Sequence, residues 1–323
     1  LLPFRNYWGT PPNNVGLDLI NLSNSTALFG ALISGEVDVL LSNSIDEDQK
    51  RALSERADKS LLRESKGPAT NITFVTLRTN RPPLQSQTVR RALAHSIDRR
   101  LISARVSYSQ REPLRSLIPP GLRGGKTEPW PTYNLNTARK LFQQAGYCSG
   151  RRLQLPFTFR TNVPSDRLMA LTWQAQLKRD LPNCVHMTLN GVESTTVYKQ
   201  LSEGSFEAVI LDWSGSYPDP EAYLSPLLSC KRAKGNICEE GEAVAGGTFW
   251  TAPGLQEALR RSDTLEGNPR LQELTSVDAI AARGAPYIPV WFVAPKAWAQ
   301  LRLNPPIFNG NGFVDLAQLG ERR

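Results

Sequence analysis

Long apolar runs are missing from this chain of 323 residues. None approaches the roughly eighteen consecutive apolar residues of a membrane-crossing helix, so no such helix is expected. Histidine is scarce, with only His95 and His186, and there is no C-x-x-C pair, so no metal site and no cofactor are expected. The signatures G-x-S-x-G, the P-loop, H-E-x-x-H and G-x-G-x-x-G after a strand are all absent. No catalytic residue is assigned, and the chain reads as a non-enzyme. It also lacks an initiator Met, a basic n-region and an apolar h-region. An export signal is therefore expected to have been removed, or the chain to start in mid-protein. Four cysteines are too few to build a disulfide scaffold, but their number is even. Cys230 and Cys238 flank a polar loop that a disulfide can close. Cys148 and Cys184 each precede an apparent strand, and parallel neighbours would bring such positions together. Two disulfides in an oxidising compartment are preferred to free thiols.

What is present suffices for two cored domains, with 40% apolar and 21% charged residues. The net charge of +8 is spread over separate pairs, such as Arg90-Arg91, Arg151-Arg152 and Arg260-Arg261. A nucleic-acid face would gather those cations and interleave aromatics, so nucleic acid is not an expected partner.

Along the chain, Val15–Ile20 reads as a short strand and Ser25–Ile33 as a helix stopped by Gly35. Val37–Leu41 reads as a strand, Asp46–Ala57 as a surface helix and Ile72–Leu77 as a strand. Asn80-Arg81-Pro82-Pro83 forces an extended path and marks a domain crossover. Ser86 caps a long helix on which Val89, Leu93, Ile97 and Leu101 form a core-facing row. His95 and Asp98 fall three apart on it and read as a partly exposed pair, because no third group has triad-like spacing. Asn134 or Asn136 caps a helix ended by Gly146. Then come Leu153–Phe159, Ser165–Leu181, Val185–Leu189, Thr195–Ser202 and Phe206–Trp213, a β-α-β-α-β order that predicts a right-handed parallel sheet. Helices over Glu221–Leu228, Pro253–Asp263 and Arg270–Arg283 and a strand over Tyr287–Val293 complete the reading.

The last strand of that unit ends in a polar, aromatic loop, Asp212-Trp213-Ser214-Gly215-Ser216-Tyr217-Pro218-Asp219-Pro220. Carboxyl ends of strands in α/β sheets face ligand crevices. Trp213 and Tyr217 offer flat surfaces that also hydrogen-bond, Ser214 and Ser216 supply hydroxyls, and Gly215 lets a ligand approach the backbone. Asp219 is expected to cap the next helix, with Pro220 at its first position. A glycosidase-like use of Asp212 and Asp219 as paired carboxylates is the enzyme alternative.

The chain resembles the extracytoplasmic solute-binding proteins of the peptide and nickel ABC-transporter family (family 5), which includes dipeptide- and oligopeptide-binding proteins. The matching residues run in order from Arg5-Asn6-Tyr7-Trp8 and Ser34-Gly35-Glu36-Val37-Asp38 to Asn80-Arg81-Pro82-Pro83-Leu84. They continue through Val89–Ala94, Ile97-Asp98-Arg99, Ile118-Pro119-Pro120 and Tyr133-Asn134 with Ala145-Gly146-Tyr147. Trp213-Ser214-Gly215 and Asp219-Pro220 complete the set. The resemblance implies an α/β, type II periplasmic-binding-protein-like bilobal (Venus-flytrap) fold, present as a C-terminal fragment. Residues 1–80 would be part of lobe I, 81–290 lobe II with the βαβαβ unit 153–213, and 291–323 the return to lobe I. Apolar surface on 1–80 and 291–323 would then be exposed and solubility reduced.

It further implies capture of a peptide or peptide-like solute and delivery to an ABC-transporter membrane permease. The protein would be a periplasmic or extracytoplasmic monomer, with or without a membrane anchor ahead of Leu1. The Cys230–Cys238 pair is similar in place to a disulfide of the dipeptide-binding relatives. In those relatives an aspartate three residues before the Asp-Pro pair binds the peptide's ammonium group. Here that position is Ser216, so either Asp212 takes the role or the solute is a sugar or metal chelate instead. A receptor or scaffold without transport is a further alternative on the same fold.

Overall fold

The computed structural model describes all residues except 5, 23, 43, 44, 125–129 and 323. The match at Arg5 therefore lies outside the described residues. Two compact units divide the chain, residues 1–69 with 294–323, and 70–293.

In the smaller unit, α1 (Ser25–Ser34), β1 (Val39–Leu41), α2 (Glu47–Asp58) and β2 (Arg63–Lys66) meet β11 (Lys296–Ala299). The three strands form an antiparallel sheet in the order β1-β11-β2. Asn24 and Asp46 cap the two helices with side-chain oxygens. Leu32, Leu40, Leu53, Leu62 and Trp298 form the core. The strand expected over Val15–Ile20 does not form. Leu17 exchanges backbone hydrogen bonds with Leu1, but no strand ladder extends from that pair, and Val15 is 92% exposed.

The larger unit holds a six-stranded sheet in the order β4-β10-β3-β7-β5-β6. Its strands are β3 (Asn71–Leu77), β4 (Glu112–Pro113), β5 (Leu153–Arg160), β6 (Val185–Val192), β7 (Ala208–Ser214) and β10 (Tyr287–Val293). β7, β5 and β6 are parallel, joined through α6 (Pro164–Asp180) and α7 (Ser194–Gln200), as the βαβαβ pattern predicts. β3 adds antiparallel to β7, and β10 to β3. The strands are apolar on both sides because both faces are covered. One face packs on α3 (Gln87–Ser96), α4 (Arg99–Ser107), α5 (Leu135–Gln144) and α6. The other packs on α7, α8 (Glu221–Leu228), α10 (Leu255–Asp263) and α11 (Gly267–Gly284). Between α8 and α10 lie the hairpin β8 (Arg232–Lys234) and β9 (Ile237–Glu240) and the short α9 (Glu242–Ala245).

Three boundaries differ from the sequence reading. The helix opened by Ser86 breaks at Ile97, which is extended, and Asp98 caps a new helix by accepting from the Arg100 and Leu101 N–H groups. Leu101 thus starts a second element instead of continuing the first row. The unit boundaries fall at 69/70 and 293/294, whereas the prolines pointed to residue 80. Strand pairing decides this, since β3 is hydrogen-bonded to β7 and β10 along its length. Third, α8 spans Glu221–Leu228 as expected, but its cap position is Pro220, one residue after the expected Asp219.

Both disulfides form, Cys148–Cys184 and Cys230–Cys238. The first joins the lead-ins of the parallel pair β5 and β6, where Leu153 is in register with Val185. The second closes the base of the β8–β9 hairpin. Among the described residues no helix is long and apolar enough to cross a membrane.

Candidate functional site at the end of strand β7

Alternation along β7 sends Ala208 and Ile210 into one core and Val209, Leu211 and Trp213 towards the other. Its carboxyl end meets the place where the chain enters and leaves the unit. Ser214 is in register with Asn71, and Asn71 with Val293. The Asn71 side-chain amide donates to the Ser214 hydroxyl at 2.9 Å.

Trp213 is partly buried, and its indole N–H donates to the Ala222 carbonyl in α8 at 2.8 Å. Gly215 is buried, and a Cβ there would lie 2.7 Å from the Tyr223 ring and 3.0 Å from the Ala222 Cβ. Glycine is therefore required by the approach of α8, a packing reason that the sequence reading did not foresee. Tyr223 in turn donates to the Thr70 carbonyl at 2.6 Å. Together these residues make a rigid floor.

Ser216 and Tyr217 stand exposed above that floor. The Tyr217 hydroxyl donates to the Glu221 carboxylate. That bond to an anion, helped by partial burial, pushes the phenol up to about 12. Asp219 accepts from the Glu221 N–H at 2.8 Å, a helix-starting bond of the expected kind. It is also gripped by both terminal nitrogens of Arg270, at 2.7 and 3.0 Å. Burial opposes the charge, but the Arg270 fork prevails and holds Asp219 below the usual carboxylate range.

Asp212 belongs to a network that the sequence reading did not foresee. Its half-exposed carboxylate pairs with Arg160, at the end of β5. Arg160 is buried, donates to Asp166 in the first turn of α6 at 2.7 Å, and reaches the Tyr198 hydroxyl of α7 at 2.8 Å. Burial pushes the Asp166 carboxyl up to about 6, against the pull of Arg160. The two carboxylates raise the Arg160 pKa above its ordinary value despite its burial. Each of the two aspartates of the glycosidase alternative, Asp212 and Asp219, is committed to an arginine. The signal available in the sequence was Asp212 itself, an ionisable residue on an otherwise apolar strand, which needs a partner. His95 and Asp98 serve structure, His95 bonding the Thr132 carbonyl at 2.7 Å while Asp98 caps α4.

Comparisons with known proteins point to one family. The model of "Bacterial extracellular solute-binding proteins, family 5 Middle" matches residues 1–235. Heme-binding protein A of Haemophilus influenzae is 25% identical over 294 residues, covering 88% of this chain and 50% of that protein. The dipeptide-binding protein of Escherichia coli is 26% identical over 233 residues, covering 70% and 42%. Among solved structures, the ABC transporter-associated periplasmic binding protein DppA from Helicobacter pylori, in complex with the peptide STSA, superposes with a TM-score of 0.82. It is 17% identical and covered over 100% of this chain and 60% of its own. The chain thus spans about half the length of the curated relatives it matches. The fold is that of the type II periplasmic binding proteins, and the chain belongs to the bacterial extracellular solute-binding proteins of family 5.

Proposed function

We propose that the protein binds a small solute, a peptide or peptide-like molecule, at the carboxyl end of β7 and delivers it to the membrane permease of an ABC import system. Binding leaves the solute chemically unchanged. The periplasm or another extracytoplasmic space is its place of work, in keeping with two disulfides. It acts as a monomer, without nucleic acid. Residues 1–69 with 294–323 are assigned to one lobe and 70–293 to the other, which moves both expected boundaries to where strand pairing ends.

The single observation that carries this reading is the exit of β7. Exposed Ser216 and Tyr217 stand over a floor fixed by Trp213, Gly215 and Tyr223, and half-exposed Asp212 lies at the same strand end on the face of β7 opposite Trp213. A preformed site of this kind loses little conformational entropy on binding. The Ser216 hydroxyl can accept from an ammonium group but, unlike a carboxylate, brings no opposite charge to form an ion pair with it. Asp212 supplies the charge instead. Asp166 and Asp212 share one guanidinium, so the trio sets two acids against one cation. A ligand ammonium would complete it. The peptide relatives support this class of ligand. The heme-binding relative and Ser216 support a second reading, a non-peptide solute on the same floor.

Calorimetric titration with free-amine peptides, their N-acetylated forms, heme and metal chelates separates the two. The expected result is saturable binding of free-amine peptides, weakened about tenfold by Asp212→Asn through loss of a charge-assisted bond. Saturation by heme or a chelate, with no response to any peptide, would leave the second reading standing in place of the first.

A further inference from the structure

At the other end of the same sheet, roughly 20 Å from Ser214 by the length of β3, lies a cavity of about 520 Å³ that the proposed solute site does not use. Its walls come from the residues leading into α3, the β8–β9 hairpin, the segment around Trp250 and the last turn of α11. Three cations line it, Arg90, Lys234 and Arg283, and no aspartate or glutamate does.

Arg90 is 4% exposed, and its guanidinium is spent on carbonyl groups. It donates to Gly284 at 2.7 and 2.9 Å, to Leu84 at 2.8 Å and to Gln85 at 2.9 Å. Those four bonds occupy each of its three nitrogens and position it, but none brings a countercharge. A buried charge without an opposite charge is unfavourable unless something supplies one. Lys234 and Arg283 are exposed at the rim, and among the described residues neither side chain has a carboxylate partner. The contrast within the hairpin is informative. Lys231 is paired with Glu240 at 2.7 Å and Arg232 with Glu239, which leaves Lys234 as the unpaired cation facing the cavity. Asn236, beside it, adds an amide donor. The Cys230–Cys238 disulfide anchors this wall at its base.

We propose that this cavity is a second binding site, for a small multivalent anion bearing carboxylate or phosphate groups. Lys234 and Arg283 contact the anion directly, with Asn236 as a neutral donor. Arg90 supplies positive potential from the floor, and Trp250 closes the site against the core. The site is independent of the solute reading, because none of its residues belongs to the floor or rim of the β7 site.

The test is calorimetry and thermal denaturation of the protein with inorganic phosphate and with citrate, at ionic strength held constant with sodium chloride. Citrate is expected to bind saturably and to raise the melting temperature, phosphate more weakly. The double variant Lys234→Gln/Arg283→Gln changes only exposed side chains, so its fold is expected to survive. It should lose about a hundredfold in citrate affinity, about tenfold for each charge-assisted bond. The variant Asp212→Asn should bind citrate as the native protein does. Absence of saturable binding by either anion would overturn the proposal, as would binding that the double variant retains.

Discussion

Gly215 and Asp278 show how much a single position can decide in this protein. At Gly215 the constraint is space. Replacing it by alanine would drive a methyl group into the Tyr223 ring, and overpacking of this kind costs about 1–3 kcal/mol. Thermal denaturation of Gly215→Ala should show a clear drop, and an unchanged midpoint would mean that α8 yields. At Asp278 the constraint is charge. Its carboxylate is fully buried in α11 and accepts from the Trp130 indole at 2.8 Å, the Leu117 N–H at 3.0 Å and the Ser116 hydroxyl at 2.8 Å. Burial outweighs these donors and pushes the carboxyl from 3.8 up to about 6. The folded state then holds its proton more tightly than the unfolded chain does. Its contribution to stability is fully present below pH 3.8 and is lost as the pH rises through about 6. Relative to Asp278→Asn, the native protein should therefore lose about 2 kcal/mol between pH 4 and 6.5. Denaturant titrations at several pH values read this directly, and parallel profiles would contradict it. Neither role was legible beforehand. Gly215 was visible as a glycine in a loop, but the ring that demands it sits eight residues on and turns back. Asp278 was hidden inside a helix pattern that its apolar neighbours had already explained.

Whole elements were easier to read than their ends. The alternation and spacing of residues 153–213 identify three strands and two crossovers, and the order requires parallel pairing. What periodicity missed were interruptions and additions. The α3–α4 break depends on Asp98 capping a helix that the four-residue spacing seemed to continue. The antiparallel strands β3 and β10 join the sheet through pairing partners more than 130 residues away, as in Thr73 with Asp212. Periodicity carries no record of partners at that range. The two disulfides also act at this scale. Cys148–Cys184 spans 36 residues and Cys230–Cys238 spans 8. Chain-entropy arithmetic gives about 4 kcal/mol for the longer loop and about 2.5 kcal/mol for the shorter. Denaturant unfolding of the two double-serine variants should follow that order. A larger loss on removing Cys230–Cys238 would show that the hairpin matters more to the fold than the β5–β6 lead-ins.

For the molecule as a whole, family and fold were legible in the sequence as an ordered set of weak motifs, none of which is specific alone, and the family model over residues 1–235 bears them out. The chemistry of the site is a different matter. The loop from Trp213 to Tyr217 was singled out correctly as a strand end, but its parts divide the work. Trp213 and Gly215 build the floor, and Ser216 and Tyr217 are offered to solvent. Asp212 is held by an arginine 52 positions earlier, which only the folded sheet brings near it. The most direct test of solute capture at this place is amide hydrogen exchange with and without a saturating free-amine peptide. Protection should rise over residues 211–223, and the amides around Trp250 should be unaffected. Binding that leaves residues 211–223 unprotected, with protection elsewhere in the chain, would contradict the account.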